Sequence, residues 1–146
     1  MSDGAGFCLR TQGETLIPDQ YLDLLSRETK AVAVVATIGP DGEAQANPVW
    51  FDWDGEHLSF SQLNVRQKYK NLMRNPSVSM CIVDPTNPYH YVEIRGVLEE
   101  VIPDPDFKLI DELANKYTGL DEFGNKQPDD ERYLLKVRPI KVSGMG

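Results

Sequence analysis

The chain has 146 residues with a formal net charge of -8 and a sequence pI near 4.7. That length suits one domain with one full core, and the acidic balance excludes general nucleic-acid binding, which needs extensive positive surface to neutralise phosphates. The longest wholly apolar run, residues 31–36, is far too short to cross a bilayer, and Cys8 and Cys81 stand far apart in no metal or redox pattern. The expectation is therefore a soluble cytoplasmic protein with no membrane and no nucleic-acid partner.

Residues 1–14 are polar, contain Gly and show no period, which predicts a mobile arm ahead of a single domain over 15–146. Tyr21, Leu24 and Leu25 mark a short amphipathic helix after Pro18. The β-branched run 31–38 predicts a buried strand, closed by a turn at 39–42. Residues 43–53 alternate as one strand, with Gln45, Asn47, Val49, Phe51 and Trp53 on one face and Ala44, Ala46, Pro48, Trp50 and Asp52 on the other. Pro48 cannot donate to a ladder, so it marks an edge, a bulge or a place where a ligand stands in for a strand. Asp54-Gly55 turns the chain into a strand at 57–62, which delivers Ser61 and Gln62 to the next element.

That element is a helix. Asn64 with Gln67 reads as an N-cap and its capping-box partner, Tyr69, Leu72 and Met73 share a face, and Asn75-Pro76 stops it. Residues 77–83 form another strand, 84–88 a Pro-rich connection, and 90–101 a long strand with Gly96 as a bulge. Asp104-Pro105 opens a helix carrying Phe107, Ile110, Leu113 and Tyr117, which Gly119 ends; 120–130 is a surface loop and 131–142 the last strand. Six strands with antiparallel connections and short helices predict a mainly β, α+β fold: a small barrel closed on itself, which leaves no strand edge bare.

One stretch runs against the charge of the rest. From His57 to Val83 there is no Asp or Glu, yet Arg66, Lys68, Lys70 and Arg74 are present. Cations at a helix start oppose its dipole by a few tenths to about 1 kcal/mol each. Either an anionic ligand offsets them, using free backbone N–H groups and the basic side chains as a phosphate or carboxylate site, or they form a solvated basic face. No nucleophile elbow, Walker loop, dinucleotide fingerprint or metal-ligand spacing is present, and His57 and His90 read as structural. A chain so poor in reactive groups is an enzyme only if an organic cofactor carries the chemistry. Arg66 and Lys68 would then form the phosphate clamp and Pro48, Val49 and Trp50 the wall of a flat apolar slot, although Trp50 and Tyr91 equally suit plain core or interface packing.

Taken together, Val35-Ala36-Thr37-Ile38 with Asp41-Gly42, Pro48-Val49-Trp50-Phe51, Arg66-Gln67-Lys68-Tyr69-Lys70-Asn71-Leu72, 84–89 and Glu93-Ile94-Arg95-Gly96 resemble the split-barrel flavin and deazaflavin oxidoreductases. This is the superfamily of pyridoxamine 5'-phosphate oxidase, and the Arg66-x-Lys68 pattern is similar to its coenzyme F420-dependent branch. The resemblance implies a six-stranded antiparallel split barrel that forms a homodimer with cofactor sites at the interface. It implies that Arg66 and Lys68 hold the cofactor phosphate, that Gln45, Asn47, Pro48, Val49, Trp50, Ser61, Gln62 and Asn71 surround the cofactor, and that Tyr89 and Tyr91 approach from the second subunit. Lys70 and Arg74 would serve an anionic tail. The activity implied is hydride transfer from reduced F420 to an electron-poor small molecule. An FMN-binding oxidase or reductase, and a non-catalytic F420 carrier, are the alternatives.

Overall fold

The computed structural model describes residues 16–146; the arm expected over 1–14, and Cys8 within it, lie outside the described residues. Seven strands, β1 (Ala33–Ile38), β2 (Ala44–Val49), β3 (Asp52–Trp53), β4 (Leu58–Leu63), β5 (Ser77–Asp84), β6 (Asn87–Pro103) and β7 (Arg132–Met145), form one antiparallel sheet in the order β2-β1-β5-β6-β7-β4-β3. Three helices accompany them: α1 (Leu22–Leu25), α2 (Gln67–Arg74) and α3 (Lys108–Thr118). None of the helices is long and apolar enough to cross a membrane.

The seventh strand corrects the expected six. Residues 43–53 do not run as one strand but break at Trp50-Phe51, so that β2 pairs with β1 while β3 pairs with β4 at the other end of the order. The cause is α3. Phe51 is fully buried, its carbonyl accepts a hydrogen bond from Lys116 Nζ at 2.8 Å, and its N–H donates to Tyr117 Oη at 3.4 Å. Backbone groups satisfied by a helix are lost to a ladder. The same break leaves the sheet open, with β2 and β3 as its two edges, rather than closed as the sequence suggests. Pro48 sits on the edge strand β2, where a residue without an N–H costs least.

Two further boundaries differ. The run 31–38 is buried on one face only: Ala33, Val35 and Thr37 point into the core, while Val32 and Val34 stay 40% and 39% exposed. And α2 starts later than the Asn64–Gln67 capping box implies. Its N-cap is Arg66, in extended conformation with no side-chain cap, while Gln67 reaches forward to donate to Asn71 Oδ1 at 2.8 Å. The expected bulge at Gly96 is present as a register shift in the β6–β7 pairing; a Cβ there would meet Arg138 O at 2.6 Å.

The core lies on the inner side of the curved sheet and is built by Val35, Phe51, Leu58, Phe60, Met80, Ile82, Ile94, Leu135 and Val137, all at 0% exposure. Leu24 and Leu25 of α1, with Tyr21 just before it, pack into this core. Across the break in the second strand, α3 buries Leu109, Leu113 and Ala114, and it thereby forms a wall beside the starts of α2 and β7.

Candidate functional site

Where β2, the end of β4, the start of α2 and α3 meet, they enclose a cavity of about 750 Å³. Its lining includes Gln45, Asn47, Pro48, Val49 and Trp50 from β2 and its end, Ser61 and Gln62 from β4, and Arg66 and Lys68 from the α2 start. Ile110, Leu113 and Phe123 close the far side, and Arg132 enters from the first residue of β7.

Each polar wall residue is positioned by a specific bond. Asn71 is fully buried beneath the cavity rather than in its lining, and its Nδ2 donates to Thr37 Oγ1 and to Gln45 Oε1, both at 3.0 Å. It therefore ties α2 to β1 and β2 and sets the Gln45 amide. Lys68 is 7% exposed and donates from Nζ to Gln62 Oε1 at 3.1 Å. Burial, with Arg66 nearby, pulls the Lys68 ammonium down to about 8. Arg132 donates from Nη1 to Ser61 Oγ at 3.3 Å and lies over the Phe123 ring, 5.1 Å from its centroid; burial holds its pKa below the usual value. Trp50 stacks face to face on Tyr117 at 5.3 Å and meets Phe123 edge-on at 5.9 Å, giving the cavity a stiff aromatic wall.

The electrostatics are one-sided. Arg66, Lys68 and Arg132 have no carboxylate within ion-pair distance among the described residues, and none of the described lining residues is Asp, Glu or His. Two buried polar atoms of lining residues, Asn47 Oδ1 and Arg132 Nε, have no hydrogen-bond partner. Buried polar groups are almost always paired, so each of these two has capacity for a further bond, Asn47 Oδ1 as acceptor and Arg132 Nε as donor. An oxygen anion at the cations and a ring N–H at Asn47 Oδ1 fit the chemistry of a phosphorylated flavin or deazaflavin.

Several sequence expectations lie elsewhere. Tyr89 is 73% exposed and Tyr91 half-buried on β6, and neither is in the lining of this cavity. Lys70 is exposed, and Arg74 donates to Ile38 O at 2.6 Å and to Asn71 Oδ1 at 3.4 Å, so neither contributes to the lining. His57 is bound to Glu99 at 2.6 Å and His90 to Asp23 at 3.0 Å, both away from the cavity. Sequence reasoning missed Arg132, Phe123, Ile110 and Leu113. The apolar pair belongs to the periodic face of α3 and reads as core; Arg132 follows an acidic loop and reads as surface.

A family model for pyridoxamine 5'-phosphate oxidase matches residues 17–146. Among solved structures, an F420 reductase is 40% identical with a TM-score of 0.77, the match covering 87% of this chain and 98% of that one. A conserved hypothetical protein from Mycobacterium tuberculosis is 20% identical over 92% of this chain and 88% of its own, with a TM-score of 0.66. General Stress Protein 26 from Bacillus anthracis is 15% identical over 86% and 94%, with a TM-score of 0.61; these last two likenesses establish the fold alone. No curated protein matches the chain. Since the family model spans all but the first residues, the chain belongs to the pyridoxamine 5'-phosphate oxidase family of split-barrel proteins.

Proposed function

We propose that this chain is an F420H2-dependent reductase, a cytoplasmic enzyme whose single cofactor domain over 15–146 passes hydride to an electron-poor organic acceptor. The observation that carries the reading is the set of three cations, Arg66, Lys68 and Arg132, unpaired in one cavity beside an aromatic wall. Likeness to an F420 reductase at 40% identity supports the deazaflavin over FMN.

When bound, the deazaflavin supplies the hydride and the chain supplies alignment and dryness. Arg66 and Lys68 hold the phosphate by charge-assisted hydrogen bonds, and Gln62 keeps the Lys68 ammonium at the cavity wall. Asn47 Oδ1 accepts the ring N–H, with Gln45 held beside it by Asn71. Pro48, Val49 and Trp50 cover the ring face and keep water from it. None of the described lining residues is Asp, Glu or His, and we assign the proton that completes reduction of the acceptor to water.

The site is completed by a second copy of the chain. The outer face of the sheet carries an apolar strip in which Val34 lies beside both Pro48 and Cys81, and Val83 beside Tyr91. Val32 and Pro48 belong to the cavity lining as well, so a partner that covers the strip also closes the cavity mouth. A homodimer brings Tyr89 and Tyr91 of one protomer toward the site of the other.

The test is a fluorescence titration of purified protein with F420 and with FMN, followed by turnover of F420H2 with a panel of enones and quinones. Tight F420 binding with oxidation of F420H2 is the expected result. A yellow flavin spectrum with no response to F420 replaces the reading with an FMN oxidoreductase, and tight binding without turnover replaces it with a carrier.

A further inference from the structure

We propose that Arg132 recognises a second anionic group of the ligand, a carboxylate set beyond the phosphate held by Arg66 and Lys68, and so selects a phosphodiester cofactor with a carboxylate over a plain phosphomonoester. This rests on the F420 reading. The basic residues that follow the clamp in sequence do not serve, because Lys70 is exposed outside the lining and Arg74 is tied to Ile38 O. Arg132, far away in the chain, takes the place they leave. The β4–β7 register sets it opposite Leu63, at the end of β4 that runs into α2, and not beside Asn47 at the ring end.

Its guanidinium is held ready. One face rests on Phe123, Nη1 donates to Ser61 Oγ, and Nε is buried with no partner. Phe123 is itself fixed, its N–H donating to Asp111 Oδ1 at 2.8 Å. A planar fork with an unused Nε edge matches the two oxygens of a carboxylate. Charge balance points the same way. A phosphodiester carries a single negative charge, which Arg66 and Lys68 already exceed, and Arg66 acts unfavourably on both Lys68 and Arg132. Asp130 and Asp104 act favourably on Arg132 from outside the lining, and neither bonds its guanidinium, so the fork itself stays open to an anion in the cavity.

The experiment measures affinity by fluorescence for two probes: F420, whose oligoglutamate tail carries carboxylates beyond its phosphodiester, and the 5'-phosphate of the same deazaflavin without that tail. Arg132→Gln is expected to weaken F420 by about 10- to 100-fold and to leave the phosphomonoester within about twofold. Arg132→Lys, which keeps the charge but not the fork, is expected to lose affinity for F420 by a smaller factor, and it carries the comparison if the Gln variant fails to fold. Equal losses on both probes, or no loss on either, overturn the assignment. Failure of the wild-type protein to bind either probe refutes the F420 reading itself; binding that Arg132→Gln leaves untouched refutes only the role of Arg132.

Discussion

Lys68 is an ammonium buried without a counterion, and its cost and its use are the same fact. Burial and Arg66 bring it to about 8, below the usual lysine value of 10.5. The folded, ligand-free chain therefore releases this proton before the unfolded chain does. Between about pH 8 and 10.5 the unfolded state binds more protons, so this group's contribution to stability rises with pH across that window. A bound phosphate reverses the preference, because it stabilises the charged form. Anion affinity is thus expected to be highest below pH 8 and to fall as pH rises through it, with proton uptake on binding. Titrations at pH 6.5, 8 and 9.5 read this directly, and a flat profile would rule out Lys68 as an anion contact. Lys68→Ala should weaken phosphate-bearing ligands by about 10- to 100-fold, which is the worth of one charge-assisted hydrogen bond.

The helices act on the site through single buried side chains. Asn71 is the point where α2 is fastened, since its amide serves Thr37 and Gln45 while Gln67 and Arg74 donate to its oxygen. Asn71→Leu leaves Thr37 and Gln45 without their donor, at about 1–3 kcal/mol for each orphaned group. Denaturant unfolding should record that loss, and cofactor affinity should fall with it as Gln45 turns. Tyr117 is the counterpart on α3. Its hydroxyl donates to Ala31 O at 2.6 Å and accepts from Phe51 N, and its ring backs Trp50. Tyr117→Phe keeps the stack and removes the bonds, so a destabilisation of about 1–3 kcal/mol with little change in Trp50 fluorescence is expected. A large fluorescence change would mean that the hydroxyl, and not the ring, sets Trp50. The gap in the expected second strand belongs to this scale too. Sequence alternation ran on through Trp50 and Phe51, and only the packing of α3 shows why the ladder stops there.

For the molecule as a whole, the open sheet leaves an apolar outer strip beside the cavity mouth. Val34 at 39% exposure, flanked by Pro48 and Cys81, is its centre. If the strip is the homodimer contact, Val34→Glu should shift the protein to monomer in sedimentation or light scattering. Its side chain faces out of the core, so the melting transition of the monomer should remain cooperative. A dimer that survives the charge would move the interface elsewhere.

Everything that rests on local chemistry is legible in the residues themselves. Turn residues and strand periods gave the antiparallel class; the edge role of Pro48 followed from its missing N–H, and the bulge at Gly96 from its missing Cβ. The reversal of charge from 57 to 83 singled out Arg66 and Lys68, and the same elements bring Gln45, Asn47, Pro48, Val49, Trp50, Ser61 and Gln62 into one cavity with them. Packing between elements distant in the chain sets the rest. Lys70 and Arg74 differ from Lys68 solely in the direction that a turn of helix gives them, and the capping box at Asn64 lost to an uncapped start at Arg66. Arg132 and Phe123 reach the cavity from the far end of the chain, through the β4–β7 register and the loop after α3. No local pattern marks a residue whose role is set by which strand it lies beside. That is why Arg66 and Lys68 stood out in the sequence, while Arg132, which lines the same cavity, did not.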